Sequence, residues 1–390
     1  MYSLPLLFKR FFKLGATAYG GPAIAQHLKK AVVKEYGWLK EPEFMKGLAL
    51  CQMTPGATFV MLSTYIGYRL RGIWGALTCA VAFVTPAFLL LLILSAFYFR
   101  FGDLWYMKSL FKGLGAIVVA IVLNALMNFG KPLLKDWKAV LIAVLSFFAF
   151  LLQWNTVLVF LLAALIALIL RPASGNPAAI VPSPSPSSST AEGNYPFLAL
   201  LALCVASLFV ISYWWDNVLF QLAITLSKVG LLAFGGGFTI ISLIQYEVVD
   251  KFQWVSTKEF LDGIAMGQIT PGPVMITATF LGYKLAGLWG GILATIAIFS
   301  TPFFLISLVI PQYDRIQGLT VIRRMEQGIL SAFIGMLGLV LFNFGRAAFV
   351  DIPSVIFTAG AFLALLKKVD LAYILLTGAI LSILVFGFIA

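Results

Sequence analysis

The chain has 390 residues, 61% of them hydrophobic and 11% charged, with a formal net charge of +12. Those proportions exclude an ordinary water-soluble domain. Solid apolar blocks without period-two alternation exclude a porin-like barrel, which leaves an all-α polytopic membrane protein. Most of the basic excess sits in short loops between apolar segments, where the positive-inside rule and contact with membrane lipid explain it without nucleic acid.

Lys9, Arg10 and Lys13 precede no small-residue cleavage site, so the first apolar segment reads as retained and not as a signal peptide. Residues 1–170 hold six apolar segments, at about 4–28, 44–70, 73–99, 104–129, 138–152 and 155–170. One helix over 138–170 would extend about 50 Å, beyond a bilayer core of about 30 Å. A break at Gln153-Trp-Asn155 is therefore predicted. Residues 171–195 form a linker rich in Pro and Ser, which cannot bury apolar area and reads as disordered or extended. A connecting helix over 196–216 has no counterpart in the first half. Six further segments follow in 217–390, at about 218–244, 260–284, 288–311, 325–350, 352–366 and 371–389.

The second set echoes the first at a spacing of 215 or 216 residues. Gly15-Ala-Thr-Ala-Tyr-Gly-Gly-Pro22 returns as Gly230-Leu-Leu-Ala-Phe-Gly-Gly-Gly237. Gln52-Met-Thr-Pro-Gly56 returns as Gln268-Ile-Thr-Pro-Gly272, and Gly67-Tyr-Arg-Leu-Arg-Gly-Ile-Trp-Gly75 as Gly282-Tyr-Lys-Leu-Ala-Gly-Leu-Trp-Gly290. Six crossings return a chain to its starting side, so one additional helix turns the second copy upside down. The expectation is two inverted-topology repeats of about six helices each, about 13 spans in all, as in many secondary transporters. With the N-terminus in the cytoplasm, sixteen Lys and Arg fall inside and ten outside. The basic stretch at 29–46 fits poorly unless segment 4–28 is re-entrant.

Chemistry concentrates at four breaks. Gly20, Gly21 and Pro22, and Gly235, Gly236 and Gly237, interrupt apolar segments where a helix should continue. Thr54, Pro55 and Gly56, and Thr270, Pro271, Gly272 and Pro273, do the same. Membranes tolerate such breaks only inside protein or beside water. A helix restarting after one presents free N–H groups and a partial positive charge, which suits an anion. The competing explanation is close packing or simple kinking. Lys13 and Lys228 precede the glycine breaks at matching positions, and a lysine within an apolar segment is costly, although Lys13 can snorkel. Gln52 and Gln268 are candidate hydrogen-bond donors to an oxyanion, together with the threonines. Arg69 and Lys284 read as interfacial anchors, Glu43 and Glu259 as solvated acids, and Cys51, Cys79 and Cys204 as buried thiols. His27 is the only histidine, which excludes a histidine relay or metal cluster. No cofactor motif, ATP-binding loop or hydrolase motif is present, so the chain does not read as an enzyme.

With these breaks and the paired Gly-Tyr-[Arg/Lys]-Leu-x-Gly-x-Trp-Gly blocks laid out, the sequence resembles the chromate ion transporter family in its long, two-domain form. It departs from internal symmetry at Ala57, where the second half has Pro273. The resemblance implies efflux of chromate across the cytoplasmic membrane, giving resistance, with sulfate as the dianion it mimics. Other oxyanion carriage, an anion channel and a non-transporting assembly subunit remain alternatives, and the oligomeric state, a homodimer included, stays open.

Overall fold

The computed structural model describes residues 2–18, 22–102, 104–170, 195–234, 237–312 and 320–389. Fifteen α-helices account for nearly all of them, and no strand occurs among the described residues. Gly20, Gly21, Gly235, Gly236 and all but the last residue of the 171–195 linker lie outside the described residues.

In the first half, α1 (Leu4–Ala16) ends at a break and α2 (Pro22–Lys29) continues as a π-helix over Lys30–Glu35. This second arm folds back along α1. Thr17 Oγ1 lies 3.0 Å from His27 Nε2, Arg10 sits over the Tyr36 ring, and the Trp38 ring meets those of Phe11 and Tyr2. The next segment behaves alike. α3 (Glu41–Met53) stops at Thr54-Pro-Gly56, and the first arm of α4 (Thr58–Phe101) runs back beside it. Gly47 packs against Tyr65, and Glu43 pairs with Arg69 at 2.5 Å. Segments 4–28 and 44–70, expected as single crossings, are therefore antiparallel helical hairpins with their breaks at the tips.

α4 is itself two helices, 58–70 and 73–101, joined where Gly72 takes φ +60°. Gly67 and Gly75 touch across this turn through bare backbone. Then come α5 (Trp105–Leu133) and a short pair, α6 (Trp137–Leu151) and α7 (Thr156–Leu170). Asp136 caps α6 by accepting from the Lys138 N–H, and Asn155 caps α7 by accepting from the Val157 N–H. The break expected at Gln153-Trp-Asn155 is present, with Gln153 at φ +58°.

α8 (Tyr195–Trp215) is largely exposed and touches the first half through Phe197 on Trp74. It carries Cys204, which is exposed and not buried. The second half repeats the first. α9 (Asn217–Leu232) and α10 (Gly237–Ile244), the latter continued by a π-helix over Gln245–Lys251, make one hairpin. α11 (Thr257–Ile269) and the first arm of α12 (Thr277–Val309) make the next, with Gly263 on Phe280 and Gly267 on Thr277. A capping box of Ser256 and Glu259 starts α11, and Gly287 at φ +56° turns α12 as Gly72 turns α4. α13 (Thr320–Ala348), α14 (Ile352–Leu366) and α15 (Leu371–Ile389) complete the chain.

Among the described residues, five helices are long and apolar enough to cross a bilayer. The 15-residue helices α6, α7 and α14 extend only about 22 Å each. The short pairs are exchanged between halves: α6 and α7 pack on α13, while α14 and α15 pack on α5. At the centre, α1 crosses the second arm of α4, α9 crosses the second arm of α12, and α4 packs on α12.

Candidate functional site

Proline and glycine end α3 and α11 at the same depth as the breaks that follow α1 and α9, and the four ends meet at the centre of the bundle. The Gly56 N–H donates to Ala233 O, and the Gly272 N–H donates to Ala18 O, both at 2.7 Å. Ala18 and Ala233 are equivalent positions, as are Gly56 and Gly272. The second break of each half is thus bonded to the first break of the other. Both glycines have positive φ, +130° and +124°. A Cβ on Gly56 would sit 2.7 Å from Pro302 Cβ, and one on Gly272 would sit 2.8 Å from Ala87 Cβ. Only glycine allows this approach.

The predicted residues divide around this crossing. Pro55, Gly56, Pro271, Gly272 and Pro273 build its loops, while Pro22 and Gly237 open the helices that resume after the glycine breaks. Thr54 and Thr270 are buried, but each hydroxyl donates to a carbonyl of its own helix, Leu50 O or Met266 O, at 2.8 Å. Their protons are committed, so neither serves as the oxyanion donor expected of it. Gln52 is exposed. Gln268 is 9% exposed, and its Nε2 has no hydrogen-bond partner. An unpaired buried donor is expensive, and this one stands in the last turn of α11 before the break.

The lysines differ as well. Lys13 is exposed and makes no ion pair among the described residues. Lys228 is paired with Glu247 on the π-helix of the returning arm, so it is not a free cation in this state. Thr156 of α7 donates to the same carboxylate oxygen at 2.5 Å, and Lys251 lies 3.5 Å from the other oxygen. Sequence reading missed Glu247 because Gln245–Lys251 looks like a polar loop outside the apolar windows. It also misjudged Glu43 and Glu259, which are not simply solvated: Arg69 pairs with the first and Lys284 with the second, each at 2.5 Å. The recurrence of both charges in both halves was the available signal.

This is a multi-pass membrane protein whose broken helices meet at a crossing tied by backbone hydrogen bonds, with the Gln268 amide unpaired in the turn before one break. It belongs to the chromate transporter family, whose model matches residues 6–168 and 220–383, and that is a transport family, not an enzymatic one. The chain is 33% identical over 380 residues to an uncharacterized transporter of Methanocaldococcus jannaschii, covering 97% of this chain and 94% of the relative. It is 31% identical over 373 residues to a chromate transport protein of Cupriavidus metallidurans (94% and 88% covered). A chromate transport protein of Pseudomonas aeruginosa is 29% identical over 408 residues (98% and 93% covered). No solved structure matches the chain.

Proposed function

We propose that this chain is a secondary carrier that exports chromate across the cytoplasmic membrane, with sulfate as a competing dianion, and thereby gives chromate resistance. The observation that carries the reading is the reciprocal bonding of the four breaks. In this reading the N-terminal ends of α2 and α10, the unpaired Gln268 amide and the Lys228 ammonium serve the site at that crossing. Helix N-termini and N–H donors suit an ion that offers acceptors on every side. Lys13 supplies unpaired charge at the equivalent place in the first half. With the cell interior negative, expelling a dianion releases about 4.6 kcal/mol per 100 mV, at about 2.3 per charge. The potential alone can therefore drive export.

The same reading makes residues 1–170 and 217–390 two inverted repeats, joined through the 171–195 linker and the 196–216 helix. Hairpins that enter and leave on one side add no net crossing, so the parity argument is unchanged. In support, Arg71 donates to Tyr2 O, which groups the N-terminus with the α4 turn. Tyr98, near the far end of α4, donates to Asp262 at the base of α11. The second half's hairpins thus open at the opposite end from the first half's. Charge follows this arrangement more closely than it follows single crossings. Lys13 and Lys228, inside α1 and α9, are set aside. The N-terminal end then holds fifteen basic groups among the described side chains: Lys9, Arg10, Lys29, Lys30, Lys34, Lys40, Lys46, Arg69, Arg71, Lys131, Lys135, Lys138, Arg324, Lys367 and Lys368. The other end holds seven: Arg100, Lys108, Lys112, Lys251, Lys258, Lys284 and Arg346. The positive-inside rule then puts the N-terminus in the cytoplasm and the C-terminus outside.

Labelled chromate uptake into energised inside-out vesicles tests the function. Uptake that vanishes when an ionophore collapses the potential, and that sulfate inhibits, is the expected result. Vesicles no better than empty controls would remove chromate export.

A further inference from the structure

Glu247 is 1% exposed, and its carboxylate is divided among the Lys228 ammonium, the Thr156 hydroxyl and, at 3.5 Å, the Lys251 ammonium. The scaffold does not need it. The two π-helices close with the same bonds: Tyr36 N–H to Ala31 O matches Phe252 N–H to Glu247 O, and Trp38 N–H to Val32 O matches Trp254 N–H to Val248 O. The first half therefore builds the identical element with Ala31 where the second has Glu247. A buried ion pair is weak evidence of stabilisation, and π-segments concentrate at functional sites.

The π-helix that carries Glu247 also carries Asp250, which with Gln253, Ser256, Asn343 and others lines a cavity of about 540 Å³. Asp250 accepts from Gln245 at 3.0 Å and from Asn343 of α13. Gln245 is fully buried, and its Oε1 has no partner. A buried acceptor without a partner is costly.

We infer that Glu247 is a built-in anion that competes with the substrate. In the empty carrier its carboxylate occupies the Lys228 ammonium. The arriving oxyanion takes that ammonium, and the displaced carboxylate takes one proton from the solvent, from hydronium or a buffer acid. The donor's bond to that proton breaks as the O–H on Glu247 forms, the donor's conjugate base stays in solution, and Lys228 stays protonated throughout. The charge count favours the exchange: Lys228, Lys251 and ionised Glu247 sum to a single positive charge, and protonation of Glu247 leaves two, matching a dianion. The groups facing Glu247 are Lys228 from α9, Thr156 from α7 and Lys251 from its own segment; Asp250 is the second acid within reach. Because the proton binds the displaced acid, oxyanion affinity rises as pH falls, and by reciprocity oxyanion binding draws in a proton.

The inference rests on the oxyanion-carrier reading, and binding to the purified full-length chain separates the two. Chromate is the probe, on the alkaline side where the free ion is entirely the dianion. Equilibrium dialysis gives affinity, and a pH dye gives proton uptake. Wild type is expected to take up about one proton per chromate and to lose about tenfold in affinity per pH unit. E247Q should bind more tightly, independently of pH and without proton uptake, while D250N should keep the uptake. Chromate binding by wild type without proton uptake overturns this inference alone, and does so even if E247Q fails to fold. Persistent uptake in E247Q, or a folded E247Q that binds nothing, overturns it as well. Absence of chromate binding in wild type overturns the carrier reading and this inference with it.

Discussion

Gly56 and Gly272 each meet two requirements at once, a positive φ and a neighbour that leaves no room for a Cβ. Alanine at either position adds backbone strain of about 1–3 kcal/mol and pushes against Pro302 or Ala87. G56A and G272A are each expected to lower the melting temperature and to cut chromate flux at least tenfold, because both glycines tie the breaks of the two halves together through their N–H groups. Flux and melting like wild type in either variant would separate the crossing from transport. The Glu259–Lys284 pair gives a pH test. Burial pushes the Glu259 carboxyl up, but the hydrogen bonds from Lys284 and Ser256 outweigh it and hold the group below the usual carboxylate value. Its contribution is therefore complete above the unfolded value of about 4.3 and drains only as pH falls through the lower folded one. Both side chains are about a quarter to a third exposed, so the effect is small. The melting difference between wild type and E259Q should be flat around neutrality and shrink in acid; a gap that widens in acid would show the sign to be wrong.

At the scale of elements, the hairpins make a topological prediction. K40C lies in the loop after the first hairpin and R71C at the turn of α4, so both should react with a membrane-impermeant maleimide from the same side. A286C, at the equivalent turn of α12, should react only from the other side. The background for this test lacks Cys51, Cys79 and Cys204. Labelling of K40C and R71C from opposite faces would restore single crossings for 44–70. The sequence carried the positions of these elements well. The four breaks, the boundary between 70 and 73, and the break at Gln153-Trp-Asn155 are all visible, because glycine, proline and short polar side chains act locally. What it did not carry was the direction taken after a break. Hydropathy measures apolar length, and a hairpin and a span of equal length score alike; pairings across the arms, such as Glu43 with Arg69 and Trp38 with Phe11, distinguish them. The Lys228–Glu247 pair was hidden for a related reason, since its acid sits in a stretch whose π-helical path depends on tertiary packing.

The whole molecule depends on exchange between the halves. α6 and α7 leave the first half to pack on α13, and α14 and α15 return the exchange on α5. The contacts are reciprocal to the residue: Gly113 lies against Ser382, and Gly328 lies against Ala163 and Ala167. Further bonds tie the pieces together, with Thr358 donating to Ala116 O at 2.9 Å and Arg324 donating to Leu168 O. Apolar helix faces carry no address in the sequence, so the exchange could not be read from it. Its consequence is that neither half buries its own long helix. Expressed alone, residues 1–180 would leave α5 without α14 and α15, and α6 and α7 without α13. In a bilayer, lost packing is not repaid by water, and small-residue contacts such as Gly113 and Gly328 drive helix association. Each half alone should therefore be degraded or insert without transporting. A chain cut inside 171–194 and expressed as two pieces should regain most of the flux, since every exchanged contact can still form between separate polypeptides. Pieces that each transport alone would show that the exchange is dispensable. Failure of the co-expressed pieces, with both stably inserted, would show that the linker does more than connect.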